Sequence, residues 1–141
     1  MELSLEDIIK VIPHRYPFLL IDKAIDIKPF ESVVGIKCIS ISDPILQGHF
    51  PGKPIYPGVL LLEGLAQTSA VLSLHSSKEK PQNVLLTEMG RSRFRKQVVP
   101  GDVVYYHIAI ERIKAPFYWF KGKALVNGDV VVSTTFSACV R

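Results

Sequence analysis

Cysteine is scarce: Cys38 and Cys139 are the only two among 141 residues. Neither sits in a Cys-x-x-Cys pair or beside a histidine, so the spacing of a zinc site is missing. Both fall in strand-like runs and are expected to be buried, reduced thiols. The four histidines include no pair at ligand spacing, and no metal is expected. Nothing resembles a phosphate loop or a nucleophile elbow. The longest apolar stretch, Val59 to Leu74, is about a turn short of a membrane span and is broken by Glu63, Gln67, Thr68 and Ser69. Met1 is followed by Glu2, Glu6 and Asp7 rather than by an apolar leader region. No membrane association and a cytoplasmic location are expected.

Apolar residues make up 48% of the chain and charged residues 21%, which excludes a disordered or low-complexity chain. The length fits one domain over 1–141, able to bury its own core without staples. The net charge is 17 − 13 = +4. Arg91, Arg93, Arg95 and Lys96 put four of the positive charges in one short stretch without an acid; the remainder balances, 13 against 13. Local basicity of this kind points to one acidic partner surface.

Ser4 predicts the N-cap of a short helix through Val11, with Asp7 placed for a capping box. Pro13 ends it, and residues 14–17 form an irregular connection. Strands are expected over Leu19–Lys28 and Ser32–Ser42. Asp43 to Pro57 is a loop with four prolines and two glycines. A helix from Gly58 to Ser76 is apolar on nearly every face, so protein should surround it. A polar turn over Lys78–Asn83 leads to strands at Val84–Lys96, Asp102–Lys114, Phe117–Asn127 and Asp129–Val140. Asn127-Gly128 signals a type I′ hairpin. An α+β fold follows, a sheet curled around one central helix.

Four places could carry chemistry. Glu63 has Val59, Leu60, Ala66 and Gln67 as helical neighbours. A carboxylate there is short of water and costs stability unless paired, and desolvation favours its neutral form. Gln67, one turn on, is placed to hold it; the alternative is a structural Glu satisfied by backbone or by a subunit interface. His49 has a backbone fixed by glycine and proline on both sides, in the loop that leads into the same helix. His and Glu are a suitable base and acid near neutral pH; the alternative is a plain turn residue. Gly58 begins the helix, where free N–H groups and the positive dipole end could hold a carbonyl oxygen; the alternative is an ordinary Pro-Gly helix start. Arg91, Arg93 and Arg95 fall on one strand face, opposite Ser92, Phe94 and Lys96, and suit phosphate or carboxylate; the alternative is a solvated face. Nucleic acid is not expected, since no nucleic-acid fold motif is present and Phe94 is the only interleaved aromatic. His14, His75 and His107 are weak signals.

The run GHFPGKPIYPGVLLLEGLAQ, residues 48–67, resembles the signature of the bacterial (3R)-hydroxyacyl-acyl-carrier-protein dehydratases of fatty acid synthesis. PHRYPFLLID at 13–22 and RFRKQVVPGD at 93–102 resemble two further blocks of that family. The resemblance implies a hotdog fold and dimers assembled as a homohexamer. It implies His49 and Glu63 as catalytic groups from different subunits, and the Gly58 N–H as the group that polarises a thioester carbonyl. It implies an acidic acyl carrier protein as partner, suited to Arg91, Arg93, Arg95 and Lys96, and no cofactor beyond the carrier's own phosphopantetheine. Tyr56 departs from the family's usual Met, Gly64 from a frequent Ala, Gln97 from Pro and Gly90 from Asp. Two other readings are a hotdog hydratase or thioesterase on CoA esters, and a non-catalytic nucleic-acid module, which leaves Glu63 unexplained.

Overall fold

Ser4 begins the first helix as its side chain dictates. Its hydroxyl accepts from the Asp7 N–H at 3.3 Å, and the Asp7 carboxylate accepts from the Ser4 N–H at 3.0 Å. The helix, α1, runs Leu5–Val11. Its last carbonyls are taken up by Arg15, whose guanidinium donates to Ile9 O, Ile12 O and His14 O at 2.7, 2.8 and 2.7 Å. The arginine therefore fixes the irregular connection that follows.

The structure is a computed structural model that describes residues 1–77 and 83–141; the turn expected from Lys78 lies, up to Asn83, outside the described residues. After α1 come β1 (Lys23–Lys28), β2 (Ser32–Cys38), a short α2 (Ile45–Gly48) and α3 (Gly58–Ser76). Then follow β3 (Val84–Phe94), β4 (Val103–Lys114), β5 (Phe117–Val126) and β6 (Asp129–Val140). All pairings are antiparallel, in the order β1-β2-β4-β5-β6-β3. Asn127 and Gly128 both take positive φ, 50° and 83°, as a type I′ turn requires.

Helix α3 lies against one face of this sheet and is buried from Gly64 through Ser73. Its polar side chains there bond to its own backbone: Thr68 to Gly64 O, Ser69 to Ala66 O and Ser73 to Ser69 O, at 2.6–2.8 Å. That satisfaction lets all sides of the helix be buried. Two glycines set the spacing between layers. A Cβ on Gly35 of β2 would strike Thr68, with Cγ2 at 3.0 Å. A Cβ on Gly64 would lie 2.5 Å from the hydroxyl oxygen of Tyr106. A mid-helix glycine costs about 1 kcal/mol relative to Ala; here it makes room for a fully buried ring.

Some expectations need correction. β1 starts at Lys23 rather than Leu19, because the Leu20 N–H donates to the side chain of Gln67 at 2.8 Å instead of to a strand. β2 stops at Cys38, where the backbone N–H is taken by the Asp22 carboxylate at 2.8 Å. Cys38 is therefore exposed at a strand end, and only Cys139 is buried. The helix is not covered throughout: Val59 in its first turn is 68% exposed. β3 stops at Phe94, leaving Arg95 and Lys96 beyond it.

The two sheet edges differ. β1 is covered by Leu3, which exchanges backbone hydrogen bonds with Ala24 at 2.7 and 3.0 Å. β3 presents Leu85, Leu86 and Phe94 at 46–59% exposure. A long edge strand with exposed apolar residues near both ends is a template for pairing with another chain.

Gly64→Ala is expected to lower stability by about 1–3 kcal/mol, because the added Cβ would lie 2.5 Å from the hydroxyl oxygen of the fully buried Tyr106. A lowered thermal midpoint is the expected reading; an unchanged or raised one would show that helix propensity outweighs the contact.

Candidate active site

His49 is held from two sides. The Ile55 N–H donates to His49 O at 2.8 Å, and His49 Nδ1 lies 2.7 Å from Ile55 O. Between them, Phe50 and Lys53 exchange backbone hydrogen bonds at 2.9 Å. The Phe50 ring stacks on the imidazole at 4.1 Å between centroids. A carbonyl accepts only, so Nδ1 must carry the hydrogen, and Nε2 of the neutral ring is left as a proton acceptor.

The same cleft, about 320 Å³, is lined by His49, Tyr56, Gly58, Phe94 and Arg95, among others. Gly58 opens α3, so its N–H is one of the first four that a helix leaves without an internal partner. A Cβ on Gly58 would lie 2.7 Å from the Phe94 ring, and glycine is the residue that lets the aromatic close over the helix start.

Glu63 stands elsewhere. It follows Gly58 by five residues, a rotation of about 140° around the helix, and it is not among the residues lining the His49 cleft. Its Oε2 accepts from Gln67 Nε2 at 3.0 Å. The Gln67 amide, fully buried, also donates to Phe18 O at 2.7 Å and accepts from the Leu20 N–H at 2.8 Å. Gln67 thus bonds Glu63 and also ties residues 18–20 to the helix. The Glu63 side chain keeps 23% exposure in the single chain, so it has not lost all of its water there. His14, rated a weak signal in the sequence, brings Nε2 within 3.8 Å of Glu63 Oε2, and its Nδ1 is buried with no partner among the described residues. No spacing rule links these two positions; the Arg15 and Gln67 bonds bring them together.

The basic run leaves the sheet partway. The β3–β6 register shifts between Met89 and Ser92, and from Ser92 to Phe94 the strand pairs in step with Thr134, Ser133 and Val132. Lys96 bonds Asp129 at 2.8 Å and is not a free charge. Arg91 and Arg95 line a groove of about 1350 Å³ with Lys28, Lys121 and Lys123, while Arg93 is exposed without lining it. Lys121 and Lys123 flank Gly122, whose Cβ position faces Leu65 of α3, so the two lysines point to the opposite face of the sheet. None of these five groove cations is in an ion pair among the described residues. Arg95 lines both the groove and the His49 cleft.

Burial raises the His49-cleft phenol of Tyr56 far above its ordinary range, with Asp43 and Asp22 adding to the shift. Among the described residues no three His, Cys, Asp or Glu side chains come together as a metal site, and no helix is long and apolar enough to cross a membrane.

A family model described as the FabA-like domain matches residues 12–135. A curated protein of Nitrobacter hamburgensis, 3-hydroxyacyl-[acyl-carrier-protein] dehydratase FabZ, is 44% identical over 139 residues, covering 97% of this chain and 92% of the relative. A protein of the same name from Caulobacter vibrioides is 43% identical over 141 residues, covering 99% and 89%. Among solved structures, the dehydratase heterocomplex ApeI:P from Xenorhabdus doucetiae matches with a TM-score of 0.81 at 19% identity, over 95% of this chain and 90% of that one. A thioesterase-superfamily member from Thermus thermophilus matches with a TM-score of 0.66 at 14% identity, over 82% and 84%. Both structural matches speak to the fold alone, which is the hotdog arrangement of a long helix and an antiparallel sheet.

Gln67→Leu is expected to cost about 2–4 kcal/mol, because the buried Phe18 carbonyl and Leu20 N–H lose their partners together. Denaturant unfolding measures it; a loss below about 0.5 kcal/mol would mean that water reaches both groups.

Proposed function

The chain belongs to the FabA-like domain family, and from that premise we propose that it removes water from 3-hydroxyacyl chains carried as thioesters on acyl carrier protein. It is a hydro-lyase of fatty acid biosynthesis, in line with the relatives' name. The observation that carries the site assignment is His49, with Nδ1 held by Ile55 O and Nε2 left free, in one cleft with the Gly58 helix start.

On this reading the substrate is a (3R)-hydroxyacyl thioester and the product a trans-2-enoyl thioester. The thioester oxygen rests on the Gly58 N–H, where the helix dipole favours developing negative charge. His49 Nε2 takes the proton from C2. The electron pair released forms the C2–C3 double bond as the C3–O bond breaks. Glu63, protonated and held by Gln67, gives its proton to the departing hydroxyl, which leaves as water. Imidazole alone is a weak base for such a proton, and hydroxide is a poor leaving group, so the three groups depend on one another. The step balances without a metal, nucleotide or redox cofactor; the phosphopantetheine belongs to the carrier.

Within one chain Glu63 does not line the cleft that holds His49, which supports a site completed by a second copy. The uncovered first turn of α3 and the apolar β3 edge are the surfaces for that copy. Three such dimers make the hexamer that the sequence resemblance implies. The whole chain, 1–141, acts as one domain in the cytoplasm.

His49→Ala and Glu63→Gln are each expected to lower kcat by roughly two to four decades. Unfolding the two variants together and reassembling them should restore part of the activity, through mixed dimers with one native pair. Verified mixed dimers that stay inactive would place both groups within one chain.

Carrier docking is assigned to the groove cations, whose field speeds association with an acidic partner. Arg91→Ala is expected to raise KM for carrier-bound substrate several-fold, with a weaker salt dependence, and to affect a small pantetheine thioester less. Equal losses on both substrates would point to a packing role for Arg91.

A further inference from the structure

Among the described residues, one charged or titratable side chain comes within ion-pair distance of Glu63, and it belongs to a residue the reaction above does not use. His14 Nε2 lies 3.8 Å from Glu63 Oε2, within ion-pair range and beyond hydrogen-bond length. The imidazole is placed from both sides of its segment. Arg15 donates to the His14 carbonyl at 2.7 Å and ties the chain back to Ile9 and Ile12. Phe18 stacks on the imidazole at 6.4 Å between centroids, and the Phe18 carbonyl accepts from Gln67 at 2.7 Å. The amide that holds the Glu63 carboxyl group therefore also holds the residue on which the His14 ring rests.

The two nitrogens of that ring have different surroundings. Nδ1 is buried with no hydrogen-bond partner among the described residues, so a hydrogen there would be a donor without an acceptor. A hydrogen on Nε2 faces a carboxyl oxygen instead. The neutral His14 ring thus carries its hydrogen on Nε2, the reverse of His49, whose Nδ1 faces Ile55 O. Its target, Oε2, is the same oxygen that accepts from Gln67 at 3.0 Å. Two donors directed at one oxygen make it the acceptor of the pair and leave the hydrogen of a neutral carboxyl group on Oε1. We propose that His14 is a positioning residue for the acid: together with Gln67 it occupies Glu63 Oε2 and keeps the transferable hydrogen on Oε1, the oxygen left for the substrate. The inference rests on the dehydratase reading, in which Glu63 gives its proton to the departing hydroxyl. Without His14, Oε2 keeps the Gln67 donor alone, and the hydrogen is divided between two oxygens. The loss then falls on turnover rather than on substrate binding, because His14 acts through Glu63.

Three variants of the assembled full chain separate this role from packing. His14→Phe keeps a ring beside Phe18 and removes both nitrogens. His14→Gln sets an amide N–H close to the place of Nε2, and His14→Asn sets one close to the place of Nδ1. His14→Phe is expected to lower kcat on a 3-hydroxyacyl pantetheine thioester roughly ten- to a hundred-fold, with KM changed by less than about two-fold. His14→Gln is expected to recover most of that loss, and His14→Asn none of it. Equal activity of the Gln and Asn variants overturns the proposal, as does a Phe variant within about two-fold of the parent kcat. A fall in kcat that tracks a fall in thermal midpoint across the three variants marks a packing role and overturns it too. Nitrogen NMR of the parent imidazole reads the tautomer without turnover. A hydrogen on Nε2 whose resonance responds to Glu63→Gln is expected; a hydrogen on Nδ1 overturns the proposal. Dehydration by the parent protein is measured alongside. The expected resonance without dehydration keeps His14 as the partner of Glu63 and rejects the dehydratase reading; dehydration with His14→Phe unaffected does the reverse.

Discussion

Gln67 sits in the middle of the buried helix, and its side-chain amide is fully engaged. It accepts from Leu20, donates to Phe18 and donates to Glu63. An amide without water is costly unless its donors and its acceptor are paired. Here the pairing joins three parts of the molecule. It holds the segment before β1 out of the sheet, it docks that segment on α3, and it fixes the carboxyl group one turn away. His14 reaches Glu63 only because this segment is tied at both ends, by Arg15 to α1 and by Gln67 to α3. Stability and the orientation of the acid candidate therefore share one set of hydrogen bonds.

Close approach of helix and sheet is the second constraint. Gly35 accommodates Thr68, Gly64 accommodates Tyr106, and Gly58 accommodates Phe94. Each glycine is paired with a specific side chain from another element, so the glycines and their partners form one packing solution. The helix-propensity cost of Gly64 is offset by burial of the large Tyr106 ring. That ring also carries a hydroxyl into the core with no hydrogen-bond partner among the described residues, which is unfavourable for stability.

Among the described residues, two open surfaces of the single chain are of different kinds. The β3 edge and the first turn of α3 are apolar, with Val59, Leu85, Leu86 and Phe94 exposed, and suit a second copy of the chain. The groove across the outer sheet face is cationic, and suits an acidic partner. Arg95 borders both this groove and the His49 cleft, so the two openings adjoin.

Much of this was legible in the chain before its folding was known. Alternation and turn residues placed β4, β5 and β6 within a residue, because strand period and the Asn127-Gly128 turn are local properties. The capping box at Ser4 and the length of α3 were equally local. His49, Gly58 and Glu63 stood out because a glycine- and proline-framed histidine and an acid in an apolar helix are costly choices that invite an explanation. What the tertiary structure alone decided is the set of partners. It showed that Phe18 and Leu20 bond Gln67 rather than a strand, that Lys96 is spent on Asp129, and that Cys38 is exposed. It showed that Lys121 and Lys123 belong with Arg91. It set His14 beside Glu63 and Tyr106 against Gly64. These relations join residues far apart in sequence, and no period or spacing encodes them; they arise when packing brings separate elements within the few ångströms over which hydrogen bonds and contacts act.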